Sequence, residues 1–163
     1  MGDPHRLTAR SNLRRLPEHF HRSVEGALYS WVARYSTALV VLVALDAVWL
    51  NFVGISMFSP VLGGMLLDTP RWGPAVLFYL LYALGVVIFA VAPALRSGSL
   101  RTAFGHGALF GFFAYMTYEL TNLATIKVWT SELATVDIGW GTLLTALAAT
   151  ASFAIASLAG RNR

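Results

Sequence analysis

At 163 residues, 56% hydrophobic and 12% charged with a mean hydropathy of +0.62, the chain lacks the polar balance of a water-soluble domain. Four spans of about 20 residues would fill half of it, leaving little for a separate soluble domain. The absence of cysteine excludes disulfides, thiolate metal sites and a cysteine nucleophile. A formal charge of +4 and a pI near 9.9 do not point to nucleic acid, because the basic residues flank apolar runs, where membrane topology and anionic headgroups account for them.

The expected fold is all-α: an antiparallel four-helix transmembrane bundle with an N-terminal amphipathic interfacial helix. Residues 1–33 form a basic cytoplasmic tail and that helix, 34–159 the transmembrane domain and 160–163 a cytoplasmic C-terminus. The polar N-terminal stretch is too long, and the run after it too apolar throughout, for a cleaved secretory signal. From Pro17, a favourable first-turn residue, Phe20, Val24, Leu28, Trp31 and Tyr35 recur at helical spacing, the pattern of a helix lying on the membrane surface.

The first span is expected over 34–55, interrupted by Asp46 and closed by Asn51. Residues 56–72 hold Pro60, Gly63, Gly64 and Pro70, which forbid one continuous helix; their apolar middle, 61–67, reads as a short interfacial helix. The second span is expected over 74–95, with Pro74 in its first turn and Pro93 near its end, the third over 102–126 and the fourth over 133–159. Lys and Arg number six through Arg34, two in the second loop (Arg96, Arg101) and two at the C-terminus (Arg161, Arg163), against Arg71 and Lys127 alone in the first and third loops. Ten against two is expected to put both termini in the cytoplasm, with the first and third loops facing the periplasm or exterior.

On that topology Asp46, Glu119 and Asp137 come from three spans and lie roughly 13, 10 and 6 Å from the outer boundary at 1.5 Å rise per residue. A carboxylate costs about 2.5–3.5 kcal/mol at the membrane centre on insertion scales, so something must offset three of them. Tyr115, Glu119 and Asn122 share one face of the third span, and Trp49 lies beside Asp46. Trp140 follows Asp137, and Gly141, Thr145 and Ala149 form a small-residue stripe that permits close helix approach. Asp46, Glu119, Asn122, Asp137, Tyr115, Trp49 and Trp140 are the candidate ligand- or ion-binding residues, with Arg71 and Lys127 as counter-ions.

The alternative is that the same polar residues only tie helices together. His106, between Gly105 and Gly107, has no second histidine at metal spacing, so no metal or cofactor is expected. Trp31, Trp72 and Trp129 fall where aromatic belts occur. No phosphate loop, nucleophile elbow or zinc-binding spacing is present, and no catalytic residue is assigned.

Four segments, "LDAVWL" (45–50), "RWGPAVLFYLLYALGVVIFAVAPAL" (71–95), "GALFGFFAYMTYELTNLAT" (107–125) and "VDIGWGT" (136–142), together resemble the bacterial predicted membrane proteins of domain-of-unknown-function family 2177. The similarity covers residues 35–157. It implies a four-span inner-membrane protein and draws attention to the same four polar positions. Aspartate is usual in that family where this chain has Glu119, which keeps the acid and lengthens its reach by one methylene.

These readings converge on a small carrier or binding protein whose outer-half acids take a proton or cation together with a small or amphipathic ligand. The competing readings are an accessory or assembly subunit of a larger membrane complex, and a membrane enzyme using two acids on a lipid. Membrane lipids are the expected partners, with a second protein or further copies of the chain in the accessory reading.

Overall fold

In the computed structural model, residues 18–161 are described, with side chains for 25–159. Pro17 and Arg163, and the side chains of Phe20, Val24 and Arg161, therefore lie outside the described residues. The chain forms two compact units, Met1–Val32 and Ala33–Arg163. In the first, α1 (Glu18–Trp49) begins, and Leu28, Tyr29 and Val32 are exposed on it. The sequence pattern suggests a separate surface helix before the first span, but the backbone is one uninterrupted helix from Glu18 to Trp49.

Every element of the second unit is a helix, with no strand among the described residues. After Trp49 a π-helical turn, Leu50–Gly54, leads into α2 (Ile55–Leu62), and a short 3₁₀ turn follows at Gly63–Met65. Then come α3 (Trp72–Val86), a second π-helical turn at Val87–Val91, α4 (Ala92–Ser97), α5 (Leu100–Thr125) and α6 (Ser131–Arg161).

The segment holding Pro60, Gly63, Gly64 and Pro70 is not one continuous helix, as expected; helix runs through Pro60 and stops at Leu62, and the expected short helix over 61–67 is corrected, since it is not a helix of its own. Proline removes one backbone donor, but Met57, Phe58, Val61 and Leu62 pack against Trp129, Leu133 and Ala134, and that apolar contact holds the segment helical. The stop comes at Gly63, whose φ of 49° is open to glycine and strained for other residues. Pro93 leaves the Phe89 carbonyl without the donor four residues on, and His106 Nδ1 lies 3.2 Å from that oxygen. His106 thus meets a carbonyl made available by proline.

The N-termini of α5 and α6 are each capped by a hydroxyl. Ser99 Oγ accepts from the Thr102 amide at 3.3 Å, and Thr130 Oγ1 accepts from the Leu133 amide at 3.2 Å. Contacts run in opposite directions along the paired helices. Gly107 faces Ala146 and Ala149 while Gly111 faces Gly141 and Thr145, and Arg34 meets Ser152 while Asp46 meets Trp140, so α6 is antiparallel to both α5 and α1. Phe89 meets His106 while Tyr82 meets Tyr115, which makes α3 antiparallel to α5.

Among the described residues, three helical stretches are long and apolar enough to cross a membrane: Glu25–Met65 (41 residues), Trp72–Ser97 (26) and Ser131–Ala159 (29). The first, at about 60 Å, is twice the roughly 30 Å hydrocarbon thickness, so it extends well beyond the expected 34–55. The expected third span coincides with α5, which has the length but less apolarity, because His106, Glu119, Asn122 and several threonines lie in it. Those threonines are locally satisfied: Thr117, Thr121 and Thr125 each donate to the carbonyl four residues back at 2.7 Å. Large apolar side chains such as Phe52, Phe89 and Leu109 are exposed around the unit, as hydrocarbon surroundings favour.

Close approach of α5 and α6 rests on small residues. A Cβ on Gly107 would come within 2.9 Å of the Ala146 Cα and the Ala149 Cβ, and one on Gly141 would collide with the ring of Tyr115. The stripe of Gly141, Thr145 and Ala149 is the predicted one; its counterpart, Gly107 and Gly111 at GxxxG spacing, is a feature the sequence analysis missed.

Candidate functional site

The three acids lie buried toward the α5–α6 connection: Asp46 is 7% exposed, Glu119 0% and Asp137 8%. Glu119 is six residues before the end of α5 and Asp137 six after the start of α6, each about 9 Å from its helix end. Antiparallel pairing brings these two to one level. The Asp137 carboxyl lies within hydrogen-bonding reach of Glu119, and Asp46 is in electrostatic range of Asp137.

Each acid is held differently. Asp46 on α1 accepts two bonds from other helices, from the Tyr79 hydroxyl to Oδ2 at 2.6 Å and from the Trp140 indole N–H to Oδ1 at 3.1 Å. Trp49, one turn beyond Asp46, stacks on Trp140 with centroids 4.5 Å apart and planes 5° from parallel. Asp46 therefore joins α1, α3 and α6, and both its oxygens are satisfied. We predict that Tyr79→Phe and Trp140→Phe each lower stability by about 1 kcal/mol, with the double variant losing more than either single one. Unfolding titrations in detergent micelles read this, and unchanged midpoints in all three variants would reject the anchoring role.

Glu119 Oε2 accepts from the Trp129 indole N–H at 2.7 Å. Its other oxygen, Oε1, is buried and receives no donor from the chain. Trp129, expected in an interfacial belt, is instead 7% exposed, packed edge-on against Phe58 and Tyr118.

Beside Asp137 lies a cavity of about 300 Å³, lined by Phe78, Tyr82, Ala114, Tyr115, Tyr118 and Asp137. Tyr115 is brought there by Gly141, whose missing side chain leaves room for the ring. The Tyr82 hydroxyl is already paired with Thr145 Oγ1 at 2.8 Å, so it contributes mainly its ring. Asn122 lies one turn below Glu119 with its Nδ2 buried and making no well-formed bond.

The expected counter-ions, Arg71 and Lys127, are exposed. Among the described residues no group of three His, Cys, Asp or Glu side chains is arranged to hold a metal ion. The acids form a close pair with a third nearby. Sequence reasoning missed Tyr79, Tyr82 and Trp129; the only signal was hydroxyls at i and i+3 in "FYLLYALG", with nothing to say what they face.

A family model described as predicted membrane protein (DUF2177) matches residues 31–154. The chain belongs to this family. The match takes in every residue of the acid cluster and its cavity, from Asp46 to Trp140. No curated protein and no solved structure matches the chain. Membership in DUF2177 agrees with the apolar helices and carries no chemistry, so the chemistry of the site rests on the residues themselves.

Proposed function

We propose that this DUF2177 chain is a small carrier or binding protein of the bacterial inner membrane, in which the Glu119–Asp137 pair takes a proton or cation and the adjoining cavity a small or amphipathic ligand. The observation that carries the reading is the double position of Asp137, which is at once a member of the carboxyl pair and part of the cavity wall. A group entering the cavity meets the same carboxyl that shares the proton, so ligand and proton occupancy are linked. At about 300 Å³ the cavity is at the small end of ligand sites, and its largely aromatic lining suits an apolar body with a polar end. The ten-to-two distribution of Lys and Arg supports cytoplasmic termini, an orientation that would put the acid pair in the outer half of the membrane.

The test is proton exchange on ligand binding. Whole protein in neutral nanodiscs is titrated with three amphiphiles, an alkyl sulfonate, an alkyl alcohol and an alkyl trimethylammonium, while a pH indicator follows protons. At least one should bind with proton uptake or release in the wild type, and Asp137→Asn should remove the exchange while eluting as a folded monodisperse species. No proton exchange with any of the three would overturn the proposal.

A second reading has its own observation. Asp46 and Glu119 are bonded to aromatic donors elsewhere in the fold, as groups that lock helices would be. In an accessory subunit the exposed apolar faces would meet another membrane protein or a further copy of the chain. Neutralising the acids would then lower melting temperature and yield of the complex in parallel, whereas a solitary, stable monomer in detergent weighs against it.

A further inference from the structure

We propose that the cavity beside Asp137 recognises an organic ammonium ion, which replaces the proton shared by Glu119 and Asp137. This rests on the proton-linked site above and adds the class of ligand. Four of the six lining residues are aromatic: Phe78, Tyr82, Tyr115 and Tyr118. Tyr82 and Tyr115 stand nearly perpendicular, with planes at 82° and centroids 6.3 Å apart, and Phe78 lies 5.3 Å from Tyr82. Ring faces carry negative charge density and attract a cation within about 6 Å, most strongly where water is excluded.

The charges around the cavity favour the same sign. Asp137 forms part of the wall, Glu119 is within its hydrogen-bonding reach and Asp46 in its electrostatic range, while Arg71 and Lys127 are exposed. An anionic ligand would bring a further negative charge to three buried acids. A cation in the cavity offsets the charge of the pair, so both carboxyls are ionised when it is bound. The balance is simple: one ammonium ion enters, one proton leaves to solvent, and no covalent bond forms or breaks. Alkyl groups on nitrogen suit the ring walls, and the limited volume favours a compact head such as trimethylammonium.

The experiment compares benzyltrimethylammonium with neopentylbenzene, its uncharged carbon isostere, using tryptophan fluorescence of the whole protein in a non-ionic detergent. The cation should bind the wild type about tenfold or more tightly than the isostere, release one proton and weaken as pH falls. Tyr115→Leu should bring the two affinities together while retaining the isostere. Tyr118→Leu, at a more exposed wall, provides the same reading if the first variant does not fold. Equal affinities in the wild type, with proton exchange seen for another amphiphile, overturn the ammonium assignment and leave the proton-linked site standing. A strong preference for the cation without proton release, and unchanged in Asp137→Asn, overturns both, because the cation is then held elsewhere.

Discussion

Gly111→Val should leave no folded protein. A Cβ at Gly111 falls under 3.0 Å from the Gly141 carbonyl oxygen and the Thr145 side chain, and the first of these is backbone that can retreat only if the two helices separate. Overpacking a well-filled interface costs about 1–3 kcal/mol where side chains can adjust, and more where backbone must move. Valine adds two further methyl groups to that collision. Separating α5 from α6 would also break the reach between Glu119 and Asp137 and remove one wall of the cavity. Gly105, on the same helix, has nothing within 4 Å of its missing Cβ, so Gly105→Ala should retain or slightly raise the melting temperature. Fluorescence-detected size exclusion with a thermal ramp compares the two. A monodisperse Gly111→Val protein that melts like the wild type would mean that this helix pair does not depend on close approach.

Trp129→Phe should destabilise the fold by about 2–3 kcal/mol, because it removes the bond to a carboxyl group that is 0% exposed while keeping most of the apolar contact. The loss is that of an orphaned acceptor more than of ring packing against Phe58 and Tyr118. Adding Glu119→Leu to the variant removes the orphan and should recover most of the deficit, a coupling that a double-mutant cycle measures directly. Chemical unfolding of the four proteins in one detergent provides the comparison. Additive effects would show that Trp129 acts through packing alone. The same four proteins bear on the proposed function: Trp129→Phe keeps both acids and the cavity, so a folded fraction should still exchange a proton on ligand binding, whereas any chain lacking Glu119 should not.

Much of the frame was legible because it follows from sums over neighbouring residues. Apolar runs of sufficient length predicted helices, Gly and Pro marked most of their ends, and the stripe of Gly141, Thr145 and Ala149 announced a close approach. Pro60 shows where such reasoning stops: its local penalty is real, but Phe58 and Val61 pack on a cluster more than 60 residues away in the chain. Trp129 fails for the same reason, since a tryptophan near a span end reads as an interfacial anchor until Glu119 is seen to accept its N–H.

The sequence by itself determined the solvent this protein is built for, its helical composition and which acids would need burial, because each follows from the chemistry of contiguous residues. Only the tertiary structure decided what those acids meet. Tyr79 and Trp140 reach Asp46 from 33 and 94 positions away, and the cavity that takes in Asp137 is shared by three helices. Donor and acceptor pairing depends on helix rotation and register to within an ångström or two, and hydrophobicity, which has no direction, leaves both unspecified.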